Sequence, residues 1–165
     1  MHIPSTGEGT PTVVFESGMG ASCVSWTLVQ SQVAQFSRPV SYDRAGHGWS
    51  DPAREPRTAR QIAQELHTLL GAASVPAPYV LVGHSFGGYL NRAFAHMYRD
   101  EVVGMGLVDS VYPAEWENPT QEQLRMIEVG LRWTVRRSFE NLRFASAAET
   151  GFSIITPQCS DITLS

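Results

Sequence analysis

The pentapeptide Gly83-His84-Ser85-Phe86-Gly87 lies between an apolar run, Tyr79 to Val82, and a segment with helical periodicity. A G-x-S-x-G sequence in this context predicts a sharp strand-to-helix turn that exposes the serine hydroxyl at the end of the strand. Glycines flank the turn because its crossing backbones leave no room for a Cβ atom. A chance occurrence in a loop is the alternative, and the strand before and helix after argue against it. Ser85 is therefore predicted to be a presented nucleophile.

The composition predicts a globular chain without a nucleic-acid partner or a membrane span. Hydrophobic residues make up 42% and charged residues 17%, and the formal net charge is −4 without a basic stripe. No apolar run approaches the ~18 residues of a membrane span, and no leader pattern is visible, so a cytoplasmic location is expected. All 12 basic residues are arginine, which removes lysine as a base. Cys23 and Cys159 lack metal-ligand spacing, so no metal or cofactor is expected.

Strand and helix patterns alternate along the first two thirds of the chain. The strands are predicted at Thr12–Glu16, Val40–Asp43, Tyr79–Val82 and Val102–Asp109. The helices are predicted at Trp26–Phe36, with Val29 and Val33 on its buried face, from the N-cap Thr58 onward, with Ile62, Leu66, Leu69 and Leu70 inward, and at Phe86–Tyr98. This alternation predicts an α/β fold with a doubly wound parallel sheet and helices on both faces.

The polar and glycine-rich segments follow the ends of the predicted strands. The four loops lie at Gly18, Arg44, Ser85 and Asp109. In doubly wound sheets ligands bind at the carboxyl ends of the strands, so these four loops are expected to form one site. Asp43 and Arg44 are expected to fix the second loop by ion pairing and backbone hydrogen bonds.

Three motifs stand in a specific order and spacing. They are Glu16-Ser17-Gly18-Met19-Gly20, Ser41-Tyr42-Asp43-Arg44-Ala45-Gly46-His47-Gly48-Trp49-Ser50 and Val82-Gly83-His84-Ser85-Phe86-Gly87-Gly88. Together they resemble the α/β-hydrolase superfamily from about Met1 to Pro113. The resemblance implies a partial α/β-hydrolase fold over residues 1–113. Residues 114–165, with a predicted polar helix over 120–144, resemble the start of a helical lid followed by an irregular tail.

The resemblance also implies roles for individual residues. The backbone amides of Met19 and Phe86 would stabilise the oxyanion of acyl transfer, and Gly18, Gly20 and His84 would line the substrate pocket. Asp109 follows the strand after the helix that Ser85 begins, and some relatives carry the catalytic acid there. An aspartate that caps the end of the strand is the other interpretation of Asp109.

The general base is absent from the expected place. The family order along the chain is Ser, then Asp or Glu, then His, but none of the five histidines follows His96. His47 is interpreted as a structural residue of its loop. The resemblance therefore implies a chain truncated at both ends of the family domain, and a missing last strand would leave the Val102–Asp109 strand as an apolar edge open to self-association.

Three functions stay open at this point. The first is a serine hydrolase of small-molecule acyl esters, whose nucleophile is Ser85. The second is a non-catalytic fragment or a binding protein on a hydrolase scaffold. The third is an acyltransferase or a cofactor-free haloperoxidase on the same fold, because water and other acceptors compete for the same acyl-enzyme.

Overall fold

The computed structural model describes residues 1–3, 8–53, 57–111, 120–122 and 125. The elements in these ranges are β1 (Thr12–Glu16), a 3-10 turn (Cys23–Trp26), α1 (Thr27–Val33), β2 (Arg38–Ser41), α2 (Ala59–Ala72), β3 (Tyr79–His84), α3 (Phe86–Met97), a second 3-10 turn (Arg99–Glu101) and β4 (Val102–Val108). The helix predicted over 120–144 and the lid-like segment 114–165 fall almost entirely outside the described residues.

The four strands form one parallel sheet in the order β2-β1-β3-β4. Strand β1 pairs with both β2 and β3, so that Phe15 lies beside Ser41 on one side and beside Val82 on the other. Each connection between these strands contains a helix, as parallel pairing requires. The predicted doubly wound α/β sheet is confirmed, and all four strands end at the same edge.

Alternate residues of the central strands face two different helical layers. Val14 of β1 and Leu81 of β3 pack in one cluster with Leu66 of α2 and Phe94 of α3, all of them at most 2% exposed. The neighbouring Phe15 faces the other layer. This period of two is the signature of strands covered on both faces, and it places the site-bearing loops on a rigid support.

Helix α2 begins where the sequence predicts. The hydroxyl of Thr58 accepts a hydrogen bond of 3.1 Å from the backbone amide of Gln61, which is the N-cap arrangement. Its apolar side chains at helical spacing are buried at Ile62, Leu66 and Leu70.

The prediction for the first helix is wrong in extent and in part of its buried face. The segment starts as a 3-10 turn through Trp26, and α1 ends at Val33. Trp26 is buried, but Val29 is exposed and Phe36 is 74% exposed. A 3-10 turn advances by three residues per turn instead of 3.6, so residues on either side of Trp26 do not continue one helical face. Phe36 lies beyond the helix, in the turn that leads to β2.

The two strands at the edges of the sheet also differ from prediction. Strand β2 begins at Arg38 and ends at Ser41, two residues earlier than expected, so Asp43 belongs to the loop. Strand β4 pairs with β3, and no strand within the described ranges pairs with its other edge. Its apolar side chains are substantially exposed at Val103, Met105, Leu107 and Val108.

Candidate active site

Ser85 occupies a strained backbone position between β3 and α3. Its φ of +52° and ψ of −122° lie in a region that residues with a Cβ atom rarely adopt. The amide of Ser85 donates to the carbonyl of Val108 at 3.0 Å, and the Ser85 carbonyl accepts from Gly88 at 3.1 Å and from Val111 at 3.2 Å. These bonds fix the turn from α3 and from the end of β4, so the half-buried side chain is held at the end of β3.

The glycines around Ser85 are required by close backbone contacts. A Cβ atom on Gly83 would lie 2.6 Å from the nitrogen of Gly88. A Cβ atom on Gly87 would lie 2.3 Å from the carbonyl oxygen of Glu16. Neither backbone group can move aside without shifting a strand or a helix. The steric reason inferred from the sequence for this motif is therefore confirmed.

The loop that follows β1 lies directly beside the serine. The position that a Cβ atom would take on Gly18 is 3.5 Å from Cβ of Ser85 and 3.1 Å from Nδ1 of His84. Gly20 has a φ of +71°, which turns the loop sharply, and the Met19 side chain is 38% exposed. The structure thus brings Gly18 of this loop together with His84 and Ser85 of the elbow, and Met19 and Gly20 follow in the same loop.

Phe86 is the first residue of α3, immediately after Ser85. The amide groups of a first helical turn point out of the helix N-terminus, where they favour negative charge. The Phe86 amide and the loop at Gly18 and Met19 are therefore found on neighbouring segments at the same end of β3.

A buried ion pair holds the loop after β1. The Arg44 guanidinium is 4% exposed and donates from Nη1 to the carboxylate of Glu16, to the carbonyl of Ser17 at 2.6 Å and, from Nη2, to the carbonyl of Gly18 at 2.6 Å. The hydroxyl of Tyr42 donates to the other carboxylate oxygen of Glu16.

Burial and the neighbouring charges shift the pKa values of Glu16 and Tyr42. Burial raises the pKa of Glu16, and the charge of Arg44 acts in the opposite direction. Burial also raises the pKa of Tyr42 well above its ordinary value, so the phenol stays a donor.

Asp43 anchors the loop after β2 by a separate set of bonds. One carboxylate oxygen accepts from the amide of Cys23 at 2.8 Å and the other from the amide of Trp49 at 3.1 Å. A Cβ atom on Gly48, whose φ is +52°, would lie 2.3 Å from this carboxylate. Asp43 therefore fixes the loop after β2, as expected, whereas the side-chain bonds of Arg44 hold the loop after β1 instead. The ion partner of Arg44, however, is Glu16, which the sequence analysis missed, although a glutamate ending an apolar strand was a signal.

Near this loop, three side chains of the kinds that bind metal ions lie close together. Ligand atoms of His2, Cys23 and Asp43 lie within 4.8 Å of one another, with 3.5 Å between Nδ1 of His2 and Oδ2 of Asp43. The residues are far apart in sequence, so spacing did not reveal the group. Burial, and then the charge of Asp43, raise the pKa of Cys23 to about 11, which keeps the thiol protonated. Both Asp43 oxygens already accept backbone hydrogen bonds, which makes structural anchoring the role that the contacts define.

No histidine of the described ranges forms a hydrogen bond with the Ser85 hydroxyl. Burial and the nearby charge of Arg44 lower the pKa of His47 to about 4, which makes it a weak base. His67 stacks on Tyr98 with ring centroids 3.9 Å apart and contacts Glu101 at 2.9 Å. The structural interpretation of His47 therefore fits its surroundings.

Asp109 follows β4 with a φ of +44° and an exposed side chain. Val108, directly before it, and Val111, two residues after it, form the backbone bonds to Ser85 described above. The residue thus lies in the segment wrapped around the serine, and its role as the catalytic acid stays a prediction.

A parallel α/β sheet with a strained serine turn between a strand and a helix defines the hydrolase class that bears this elbow. A model of the alpha/beta hydrolase family matches residues 13–157, and the chain belongs to that family.

The relatives are longer than this chain. It is 38% identical over 103 residues to the uncharacterized protein YqjL of Bacillus subtilis, which covers 62% of this chain and 41% of YqjL. It is 38% identical over 111 residues to an AB hydrolase superfamily protein of Gibberella zeae, which covers 65% of this chain and 34% of that protein. A thermophilic esterase of Thermogutta terrifontis aligns in structure with a TM-score of 0.65 and 26% identity, over 82% of this chain and 48% of the esterase. The chain thus spans less than half the length of these relatives.

The helices of the described segments are α1, α2 and α3. None of them is both long and apolar enough to cross a bilayer.

Proposed function

We propose that this chain carries the nucleophile and the oxyanion donors of a serine hydrolase that acts on small-molecule acyl esters. The observation that carries the proposal is the backbone of Ser85, held at a φ of +52° between β3 and α3 by three backbone hydrogen bonds. Such strain persists only where the surrounding structure enforces it, and it is typical of functional sites. Membership of the hydrolase family supports the same conclusion.

The proposed reaction is acyl transfer to the serine hydroxyl. The Ser85 oxygen attacks the ester carbonyl and forms a new C–O bond, while its proton passes to a general base. The tetrahedral oxyanion accepts hydrogen bonds from the amides of Met19 and Phe86. On collapse the bond to the alkoxy group breaks, and the departing alcohol takes up the proton. Water then attacks the acyl-serine, releases the acid and restores the hydroxyl.

The described residues supply the nucleophile and the donors but no hydrogen-bonded base for Ser85. Asp109 is the proposed acid, on the strength of its position in the segment that contacts Ser85 through the backbone. The pocket proposed for the acyl group is formed by Gly18, Gly20 and His84, since Gly18 lies against both His84 and Ser85. A cytoplasmic location, the boundary between 1–113 and 114–165, and the absence of nucleic-acid partners stay predictions.

A fluorophosphonate probe tests this proposal directly. Its phosphorus is attacked by the activated serine, fluoride leaves, and the proton passes to a base. We expect slow labelling of this chain at Ser85 in plain buffer and faster labelling with added imidazole, which provides the base from solution. Intact-mass and peptide mass spectrometry would identify the modified residue.

Two serine variants make the result specific. Ser85→Ala is expected to abolish the labelling. Ser74→Ala is the matched control, because Ser74 also has a positive φ, +54°, and is an exposed serine just after α2. Labelling that persists in Ser85→Ala, or that disappears in Ser74→Ala, would contradict the proposal.

The Ser85 hydroxyl forms no hydrogen bond with any described residue, and this favours a second candidate function, a binding protein that retains the hydrolase scaffold. Within the described part of the chain no side chain activates Ser85, so a ligand could occupy the pocket without reaction. Complete absence of labelling in the presence of imidazole, in a folded sample, would favour this function over hydrolysis.

A further inference from the structure

Arg44 has none of the catalytic or pocket roles described above, but it binds the loop beside Ser85. Arg44 donates to two consecutive carbonyls of the loop after β1, those of Ser17 and Gly18, each at 2.6 Å. In a trans peptide the C=O and N–H bonds of one unit point in opposite directions. The amides that belong to these two peptide units are those of Gly18 and Met19. Both therefore point away from Arg44.

The opposite side of this loop is the side of the nucleophile. Gly18 lies beside Ser85, at the 3.5 Å measured from its built Cβ position. The preceding residues of the loop are packed against the first turn of α3, since a Cβ on Gly87 would lie 2.3 Å from the Glu16 carbonyl and 2.8 Å from the Ser17 carbonyl. The Ser17 carbonyl thus faces both Arg44 and Gly87, so the Gly18 amide points away from both. The Met19 amide is the donor of this loop that the proposed function assigns to the oxyanion.

We propose that Arg44 is a positioning residue, which fixes the Gly18 and Met19 peptide units and so directs the Met19 amide toward the oxyanion of a substrate on Ser85. This inference rests on the proposed function. Arginine suits the task because its planar fork can bind two carbonyls and a carboxylate at fixed angles. Glu16, held in turn by the hydroxyl of Tyr42, fixes the guanidinium and neutralises its charge.

The two ends of the loop are held independently. The hydroxyl of Ser17 donates to the carbonyl of Ser22 at 3.0 Å and accepts from the indole of Trp26 at 3.0 Å. The loop would therefore stay attached when Arg44 is changed, and only the orientation of its peptide units would lose its restraint. This separates a positioning role from a general structural one.

The test compares Arg44→Lys with wild type in the full chain. Lysine keeps the charge next to Glu16 but cannot bind two carbonyls and a carboxylate in one plane. We expect amide hydrogen exchange, measured by NMR, to become at least tenfold faster at Gly18 and Met19 and to stay unchanged in β1 and β3. We also expect fluorophosphonate labelling of Ser85 with imidazole to slow by about 10- to 100-fold, less than the ~10²- to 10³-fold loss for deleting one oxyanion donor.

Two further variants keep the test decisive. Arg99→Lys is the matched control, since Arg99 is exposed in the turn before β4, and it should change neither measurement. If Arg44→Lys fails to fold, the double variant Glu16→Gln with Arg44→Met removes both buried charges and should show the same local increase in exchange.

The outcomes separate this inference from the proposed function. Unchanged exchange at Gly18 and Met19, or an increase spread over the whole sheet, would overturn the positioning role whether or not Ser85 reacts. Faster local exchange with an unchanged labelling rate would also overturn it. Faster local exchange in a chain whose wild type never labels would contradict the serine hydrolase proposal and leave Arg44 as the residue that orients these amides.

Discussion

The two halves of the sheet differ in how they hold the residues around Ser85. On the β1 and β2 side the loops are joined by buried charges, with Arg44 bound to Glu16 and to two carbonyls, and Asp43 bound to two amides. On the β4 side the strand exposes apolar side chains, with Val103 at 62% exposure. Ser85 thus stands between a fixed polar half and an open apolar half. The comparison teaches that the loop beside Ser85 is fixed by polar contacts within the described part of the chain.

The largest expected effect breaks the polar half. Arg44→Met leaves the Glu16 carboxylate buried without its cation, and we expect a loss of about 3–5 kcal/mol in the free energy of unfolding. Urea denaturation followed by circular dichroism measures it. The double variant with Glu16→Gln should recover part of this loss, and an Arg44→Met variant as stable as wild type would show that the pair contributes little.

A second test compares the two halves by truncating a leucine in each. Leu81 of β3 is fully buried, so Leu81→Ala should cost about 2–5 kcal/mol of unfolding free energy. Leu107 of β4 is 42% exposed, so Leu107→Ala should cost less than about 1 kcal/mol. The same urea titration measures both variants. Equal losses would mean that the β4 face is as well packed as the centre of the sheet.

The close contact between the first loop and α3 is tested with two glycines. Gly87→Ala places a methyl group against the backbone of Glu16, and we expect a loss of about 1–3 kcal/mol. Gly71→Ala is the control, because nothing lies within 4 Å of its built Cβ in α2, and it should gain about 0.5–1 kcal/mol. Thermal melts of both variants measure the change in stability. A Gly87→Ala variant as stable as wild type would show that the loop can move away from the helix.

The loop after β2 is expected to make stability depend on pH. The pKa of His47 is about 4 in the folded chain, below its ordinary value of 6.5, because the ring is buried beside Arg44. The unfolded chain therefore binds the proton first as the pH falls, and stability is lost between about pH 6.5 and 4. After allowance for partial exposure the loss is on the order of 2 kcal/mol. His47→Gln should remove this part of the pH dependence, and an unchanged profile would contradict the assignment.

The smallest effect concerns the open half. Because apolar side chains of β4 are exposed, self-association through this edge of the sheet stays a prediction. If association occurs through this edge, Leu107→Lys should reduce it, because a charged side chain on an edge strand opposes pairing. Sedimentation velocity over a range of concentrations measures it, and a monomer at all concentrations would contradict the prediction.

Local signals in the sequence predicted the parts of the fold that local physics determines. The strained turn at Ser85 follows from its glycines, and the start of α2 follows from Thr58. The prediction that Phe36 is buried was wrong. The position where α1 ends depends on contacts with residues far away in the sequence, which a short sequence segment does not contain. Within the site, Ser85 and Gly18 were brought together as expected at one edge of the sheet. The partnership of Glu16 with Arg44 was not predictable, since the end of β1 and the loop after β2 that it joins are 28 residues apart.

A crystal structure of the chain after reaction with a fluorophosphonate tests the central claim most directly. We predict a phosphonate bonded to the Ser85 oxygen, with its phosphoryl oxygen about 2.7–3.1 Å from the amide nitrogens of both Met19 and Phe86. A phosphonate on another residue, or one whose phosphoryl oxygen points to solvent away from both amides, would contradict it.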